Sequence, residues 1–131
     1  MQSLEDLIAT MRPVLNPGRY VYSTLPFASS VDPAVIVASI REPEGLSVVL
    51  AEQDALRLNL PVIFVVAWIT LRVASELSAV GFTAAFARAL GEANISCNVV
   101  AGTHHDHIFV PHSLAQQAMD VLQALQASSS A

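Results

Sequence analysis

The chain has 131 residues, with 6 basic and 11 acidic side chains for a formal net charge of −5, and it is 53% hydrophobic but only 13% charged. Globular chains average about 25% charged residues, so this one has little charged surface and can bury a substantial core. The six cations are all arginine and lie scattered at Arg12, Arg19, Arg41, Arg57, Arg72 and Arg88, which reads as compositional bias and gives none of the basic patch of a nucleic-acid module.

Taken in order, Ser3 opens a first helix. Its hydroxyl, three residues before Asp6, resembles half of a capping box, and Leu4, Leu7, Ile8 and Met11 fall on one helical stripe. The acidic start, Glu5 and Asp6, is not the basic run of a secretory leader. Pro13 stops the helix, and Asn16-Pro17-Gly18 reads as a turn. A strand is expected over 19–25, ended by Pro26, with a loop over 27–33. Residues 34–41 are apolar on both alternating faces, the pattern of a central strand. The loop 42–45 then returns the chain as a hairpin into 46–50. A short helix is expected over 51–58, closed by Asn59 and Pro61.

The longest apolar run, 60–69, is half the length of a membrane span and reads as a buried strand continuing through 62–73. Ile69, Leu71 and Val73 alternate with Thr70 and Arg72, so one face is core and the other partly wet. A helix over 83–94 follows, with Thr83 as its N-cap and Phe82, Phe86, Ala89, Leu90 and Ala93 on one side. Strands over 95–102 and 108–110 flank a turn rich in histidine. Ser113 is read as the cap of a last helix striped by Leu114, Ala118, Val121, Leu122 and Leu125. Only the Ser/Ala run 127–131 is expected to be disordered. Cys97 is the sole cysteine, which excludes an internal disulfide and fits a reducing, cytoplasmic location.

Two halves emerge, α-β-β-β-α and β-α-β-β-α, an α+β class with an antiparallel sheet and helices on one face. The expected division is residues 1–62 and 63–131, with 63–73 a strand that both halves can share.

The residues also carry a resemblance. ITLRVASELSAVGFTAAFARALGEANISCNVVAGTHHDHIFVP, residues 69–111, resembles the ACT-domain half of a bacterial family of small two-part ACT proteins. Pro17-Gly18-Arg19-Tyr20-Val21, Thr24-Leu25-Pro26 and Glu44-Gly45-Leu46 resemble its ACT-like first half. Asn98-Val99-Val100-Ala101-Gly102 followed by His105-Asp106-His107 is the most specific part. The resemblance implies tandem ferredoxin-like units and small-molecule sensing, usually of amino acids, at an interface between ACT units. Low charge and high apolar content point to a homo-oligomer, any output is expected to pass through an unidentified effector protein, and no cofactor, nucleic acid or membrane partner is expected. A closing strand is missing after Leu125; it is either supplied by the other half or absent.

In ACT domains ligands meet the first strand–helix loop and the strand edge opposite, which match residues 77–83 and 98–102. The resemblance thus points to Gly81, Phe82, Thr83, Asn98 and Gly102, with His105 and His107 lining the same site. The physical chemistry agrees. Gly81 lets backbone approach a ligand, N–H groups at a helix start attract a carboxylate, and Asn98 can both donate and accept. Equally, Gly81 can serve only a turn and Asn98 only a strand edge. His104, His105, Asp106 and His107 form an alternative, a metal site, since imidazoles and carboxylate are ordinary ligands. Against it, a strand would put only two nitrogens on each face at most; the simpler reading is a polar hairpin tip in which Asp106 holds one histidine tautomer. Ser75, Ser78 and Cys97 are nucleophiles by type only, Glu76 has no evident paired acid, and no nucleophile elbow or phosphate loop is present. Phe27, Phe64, Trp68, Phe82, Phe86 and Phe109 read first as core, while Tyr20 and Tyr22, which share a face, fit a pocket lining and plain sheet packing equally well. Three readings stand: a non-catalytic sensor, a metal-binding protein or metalloenzyme, and a structural oligomerisation module.

Overall fold

A computed structural model describes residues 3–26, 30–73 and 76–130. The readings of Phe27 as core, of Ser75 as a nucleophile, and of the loop at 27–29 and 74–75 fall outside the described residues. In chain order the elements are α1 (Leu4–Thr10), β1 (Arg12–Leu25), β2 (Ile36–Glu42), β3 (Gly45–Ala51), α2 (Glu52–Arg57), β4 (Phe64–Arg72), α3 (Phe82–Glu92), β5 (Asn98–Ala101), β6 (Asp106–Pro111) and α4 (Ala115–Ser130). They form two compact units, Gly18–Val66, and Met1–Pro17 with Ala67–Ala131.

In the smaller unit the strand order is β2-β3-β1-β4. β1 runs antiparallel to β3, with Val21 opposite Leu50, Ser23 opposite Val48 and Leu25 opposite Leu46. The β2–β3 hairpin turns through Pro43 and Glu44, and Glu42 faces Gly45. Gly45 has φ +150°, and a Cβ there would lie 2.9 Å from the Leu25 carbonyl oxygen. Val21, Leu25, Val48, Leu50 and Ala55 form the core. Residues 34–41 are not a central strand. A 3₁₀ turn (Pro33–Val35), capped by the Asp32 carboxylate on the Ala34 N–H, precedes β2. β2 itself is the edge, and Ile40 is 60% exposed. An apolar alternation cannot report that one flank of a strand is unpaired.

The larger unit has strand order β1-β4-β6-β5, with β1 contributing residues 12–17. This is the ferredoxin-like arrangement, and its closing strand comes from the start of the chain, ahead of the other strands. The expected turn at Asn16-Pro17-Gly18 is instead continuous strand. Pairing with β3 begins only at Tyr20, so Pro13 and Pro17 lie ahead of the β3-paired stretch of β1, where proline is tolerated in a strand. Gly18, at φ +110°, marks the point where the two units divide. Asn16 fixes the register: its Nδ2 donates to the Trp68 carbonyl at 3.2 Å and to Thr70 Oγ1 at 3.0 Å.

Leu7 and Ile8 of α1, Phe86 and Leu90 of α3 and Leu122 of α4 share one core with Ala67, Ile69, Leu71, Ile108 and Val110. The Ser3 hydroxyl accepts from the Asp6 N–H at 3.1 Å, as capping predicts. α4 is preceded by a 3₁₀ turn (His112–Leu114), so Ser113 lies inside that turn and does not cap it. α4 continues through the Ser/Ala run to Ser130. Gln126 ties it to α1 through a 3.2 Å bond to the Ala9 carbonyl. No described helix is long and apolar enough to cross a membrane. Gly91, exposed near the end of α3, has nothing within 4 Å of a built Cβ. Replacing it with alanine removes backbone freedom from the unfolded chain at no steric cost. Gly91→Ala is expected to raise unfolding stability by about 0.5–1 kcal/mol in urea denaturation.

Candidate functional site

Strand parity sorts the candidate residues onto two faces of the larger unit's sheet. Ile69 and Leu71 of β4 and Ile108 and Val110 of β6 point into the helix-covered core. Asp106 shares the parity of Ile108, and its cross-strand partner is Ala101. His107 pairs with Val100 and Asn98 with Phe109, so these four take the opposite face, with Trp68 and Thr70.

On the helix side, the start of α3 and the β5–β6 turn enclose a cavity of about 60 Å³. The loop before α3 contributes Glu76, Leu77 and Ala79, and α3 contributes Phe82 and Thr83. Ala101, Gly102, His105 and Asp106 close the other side. Leu77 and Val80 stand 71% and 88% exposed in that loop. α3 has no side-chain cap, because its N-cap is Gly81 at φ +95° and not Thr83, which lies in the first helical turn. Among the described residues no side chain therefore caps the first N–H groups of the helix, the groups that lack intrahelical partners. Gly81 is not among the residues lining the cavity; it stands behind them in a left-handed conformation, where a Cβ would meet Leu4 Cδ2 at 3.2 Å. Gly102 closes the turn, its N–H donating to the His105 carbonyl at 2.9 Å. A Cβ on Gly102 would sit 2.9 Å from that same oxygen.

The electrostatics of the cavity are one-sided. Its ionisable lining is Glu76, Asp106 and His105, with no lysine or arginine. Burial raises the Asp106 pKa, and His107 opposes that shift. Among the described residues the Asp106 carboxylate has no hydrogen bond or ion pair. His105 Nδ1 is buried without a hydrogen-bond partner among the described residues.

His107 belongs to a separate network on the other face. Trp68 Nε1–H donates to His107 Nδ1 at 3.0 Å, and Thr70 Oγ1 lies 3.2 Å from the same nitrogen. An acceptor Nδ1 fixes the neutral imidazole with its proton on Nε2. Trp68, not Asp106, thus selects the tautomer. Burial lowers the His107 pKa, His105 lowers it further, and Asp106 partly offsets both.

Of the seven residues expected at a ligand site, the fold gathers Phe82, Thr83, Gly102 and His105 around the cavity. Gly81 stands behind it, while Asn98 and His107 take the opposite sheet face. Asn98 is exposed at the far end of β5. His104 is exposed in the turn, and no three His, Cys, Asp or Glu among the described residues are placed to hold a metal ion. Burial pushes the Cys97 thiol up to about 11, so it is protonated at neutral pH. Sequence reading passed over Asp106 as a cavity residue, although its parity with Ile108 and Val110 carried the signal.

Comparison with known proteins follows the same outline. Two ACT domain family profiles match the chain, one over residues 1–67 and one over 65–124. A Vibrio cholerae protein of unknown function, described as a possible transport protein, is 45% identical, with 95% of this chain and 96% of that one aligned at a TM-score of 0.83. An Agrobacterium tumefaciens protein aligns at 17% identity over 88% of this chain and 89% of its own, TM-score 0.66. The ligand-free regulatory subunit of aspartate kinase from Thermus thermophilus aligns at 8% identity over 88% and 96%, TM-score 0.64. These last two share the fold. No curated protein matches the chain.

Proposed function

The chain belongs to the ACT domain family, and from that premise we propose that it is a regulatory module that binds a small metabolite, an amino acid, in the cleft between α3 and the β5–β6 turn. The observation carrying this reading is the cavity itself. Residues twenty positions apart in sequence, Phe82 and Thr83 on one side and Gly102 and His105 on the other, converge on it. The uncapped start of α3 offers N–H donors to a carboxylate. The aspartate kinase regulatory subunit, whose fold the chain shares, supports a regulatory rather than a catalytic role. At about 60 Å³ the cavity holds a head group rather than a whole ligand, since drug-sized molecules occupy roughly 300–1,000 Å³. Exposed Leu77 and Val80 beside it support a site completed by a second copy, because apolar surface of this kind marks interfaces.

Thermal shift and calorimetry with the twenty amino acids test the reading. Thr83 is exposed in the first turn of α3, so Thr83→Glu places a negative charge at the cleft and at the favourable end of the helix dipole. The variant is expected to lose about tenfold or more in affinity for a carboxylate ligand, as a charge-assisted bond becomes a repulsion. Its melting temperature in the absence of ligand should hold or rise. Unchanged affinity would remove the carboxylate from the start of α3.

A further inference from the structure

The cleft contains an unmet electrostatic demand. Asp106 is an acceptor on its inner wall, partly withdrawn from water, and burial raises its pKa. The group that favours its ionisation is His107, whose ring Trp68 holds in the neutral form. Among the described residues no lysine or arginine lines the cavity beside that carboxylate. Glu76 adds a second negative group to the lining. The fold places a partly buried carboxylate on the wall of a cavity in which, among the described residues, no group donates to it.

We propose that Asp106 is the specificity-determining residue of the cleft and that it accepts the primary ammonium group of the ligand. This rests on the reading of the cleft as a ligand site and names which end of the ligand enters it. A metal ion is the poorer occupant, because the described residues offer no group of three His, Cys, Asp or Glu to hold one. An ammonium asks for less: three acceptors around a small, strongly hydrated charge. Asp106 supplies a charged acceptor, and water or backbone carbonyls supply the others. The acidic lining also sets a selection rule. Free amino acids and amines enter; N-acylated compounds and amine-free carboxylates, which bring no positive charge to Asp106, do not.

The test uses the full chain and isothermal titration calorimetry. The probes are the twenty free amino acids, their N-acetyl derivatives and their methyl esters. Wild type is expected to bind one or more free amino acids, and N-acetylation of a binder should abolish its heat. The methyl esters identify the source of the chemistry: an ester that still binds makes the ammonium sufficient, and one that fails makes carboxylate and ammonium a joint requirement. Asp106→Asn keeps the shape and removes the charge; it is expected to weaken binding about 10- to 100-fold, the loss of one charge-assisted hydrogen bond. Its unliganded circular dichroism should match wild type and its melting temperature should hold or rise, since the buried charge is removed. If N-acetyl amino acids bind as well as free ones, or Asp106→Asn binds as wild type does, the assignment of Asp106 is wrong while the cleft stands as a ligand site. If wild type binds none of the probes, the reading of the cleft falls, and the assignment with it.

Discussion

Phe86→Ala is expected to lower unfolding stability by about 3–5 kcal/mol, the range for truncating a fully buried phenylalanine. Phe86 is wholly buried in the core of the larger unit, and its ring meets that of Phe82 edge to face, centroids 5.2 Å apart at 76°. The loss combines the transfer free energy of the ring with the void left in the core beneath α3. A domain of this size has about 5–15 kcal/mol in all, so urea denaturation should show a midpoint far below wild type with part of the population unfolded in mild denaturant. A loss under about 1 kcal/mol would mean that the helices close over the gap.

The same variant tests how the core holds the cleft. Phe82 is both a core residue and part of the cavity lining. Phe86, one turn further along α3, supports it from beneath. Without that ring, Phe82 has space to fall inward and the first turn of α3 loses its fixed position. Ligand affinity should therefore decline even at temperatures where Phe86→Ala remains folded. Calorimetry on the folded fraction separates this from simple unfolding.

How far the sequence disclosed this arrangement differs from element to element. Helical stripes such as Leu7-Ile8 and Ala118-Leu122 were legible because a 3.6-residue period directly encodes one buried face. The β2–β3 hairpin was legible from Pro43-Glu44-Gly45, residues whose backbone preferences dictate a reversal. β1 was not. Asn16-Pro17-Gly18 has the composition of a turn, and only a neighbouring strand reveals that Asn16 spends its amide on Trp68 and Thr70. The closing strand was sought after Leu125 because chain order suggested it; spatial order drew it from residues 12–17. The cleft was half legible. The glycines announced tight backbone at positions 81 and 102, and both adopt it: Gly81 stands at φ +95° and Gly102 closes the β5–β6 turn. His105 and His107 were read as companions from their spacing. β6 begins only at Asp106, so His105 is still in the turn and the strand parity does not hold between them.

His107→Ala is expected to cost about 2 kcal/mol at pH 8, because it leaves the Trp68 indole N–H without its acceptor in a partly buried setting. The cost should shrink on the acid side. The folded-state pKa of His107 is lowered from 6.5, first by burial, then by His105, with Asp106 opposing. Geometry acts in the same direction, since a protonated Nδ1 would point its hydrogen at the Trp68 N–H. Below pH 6.5 the unfolded chain therefore takes up a proton that the folded chain refuses. Stability attributable to His107 is complete above 6.5, declines as pH falls from 6.5 to the lowered value, and is level below it. Asp106 works in the contrary sense and from a lower starting point: its pKa is raised from 3.8 by burial, so from 3.8 up to that raised value its contribution falls as pH rises. Trp68 is the sole tryptophan, and its emission reports on the imidazole bonded to it. Wild type should show a fluorescence transition with its midpoint below 6.5, absent from His107→Ala. His107→Gln, which can accept from Trp68 without titrating, should recover part of the stability at pH 8 and none of the transition. A midpoint at or above 6.5, or an alanine penalty equal at pH 5 and pH 8, would show that the Trp68–His107 bond does not hold the ring neutral. In that case His107 would be a cation beside Asp106 near neutral pH, and the charge that the cleft seeks from its ligand would already be met from within.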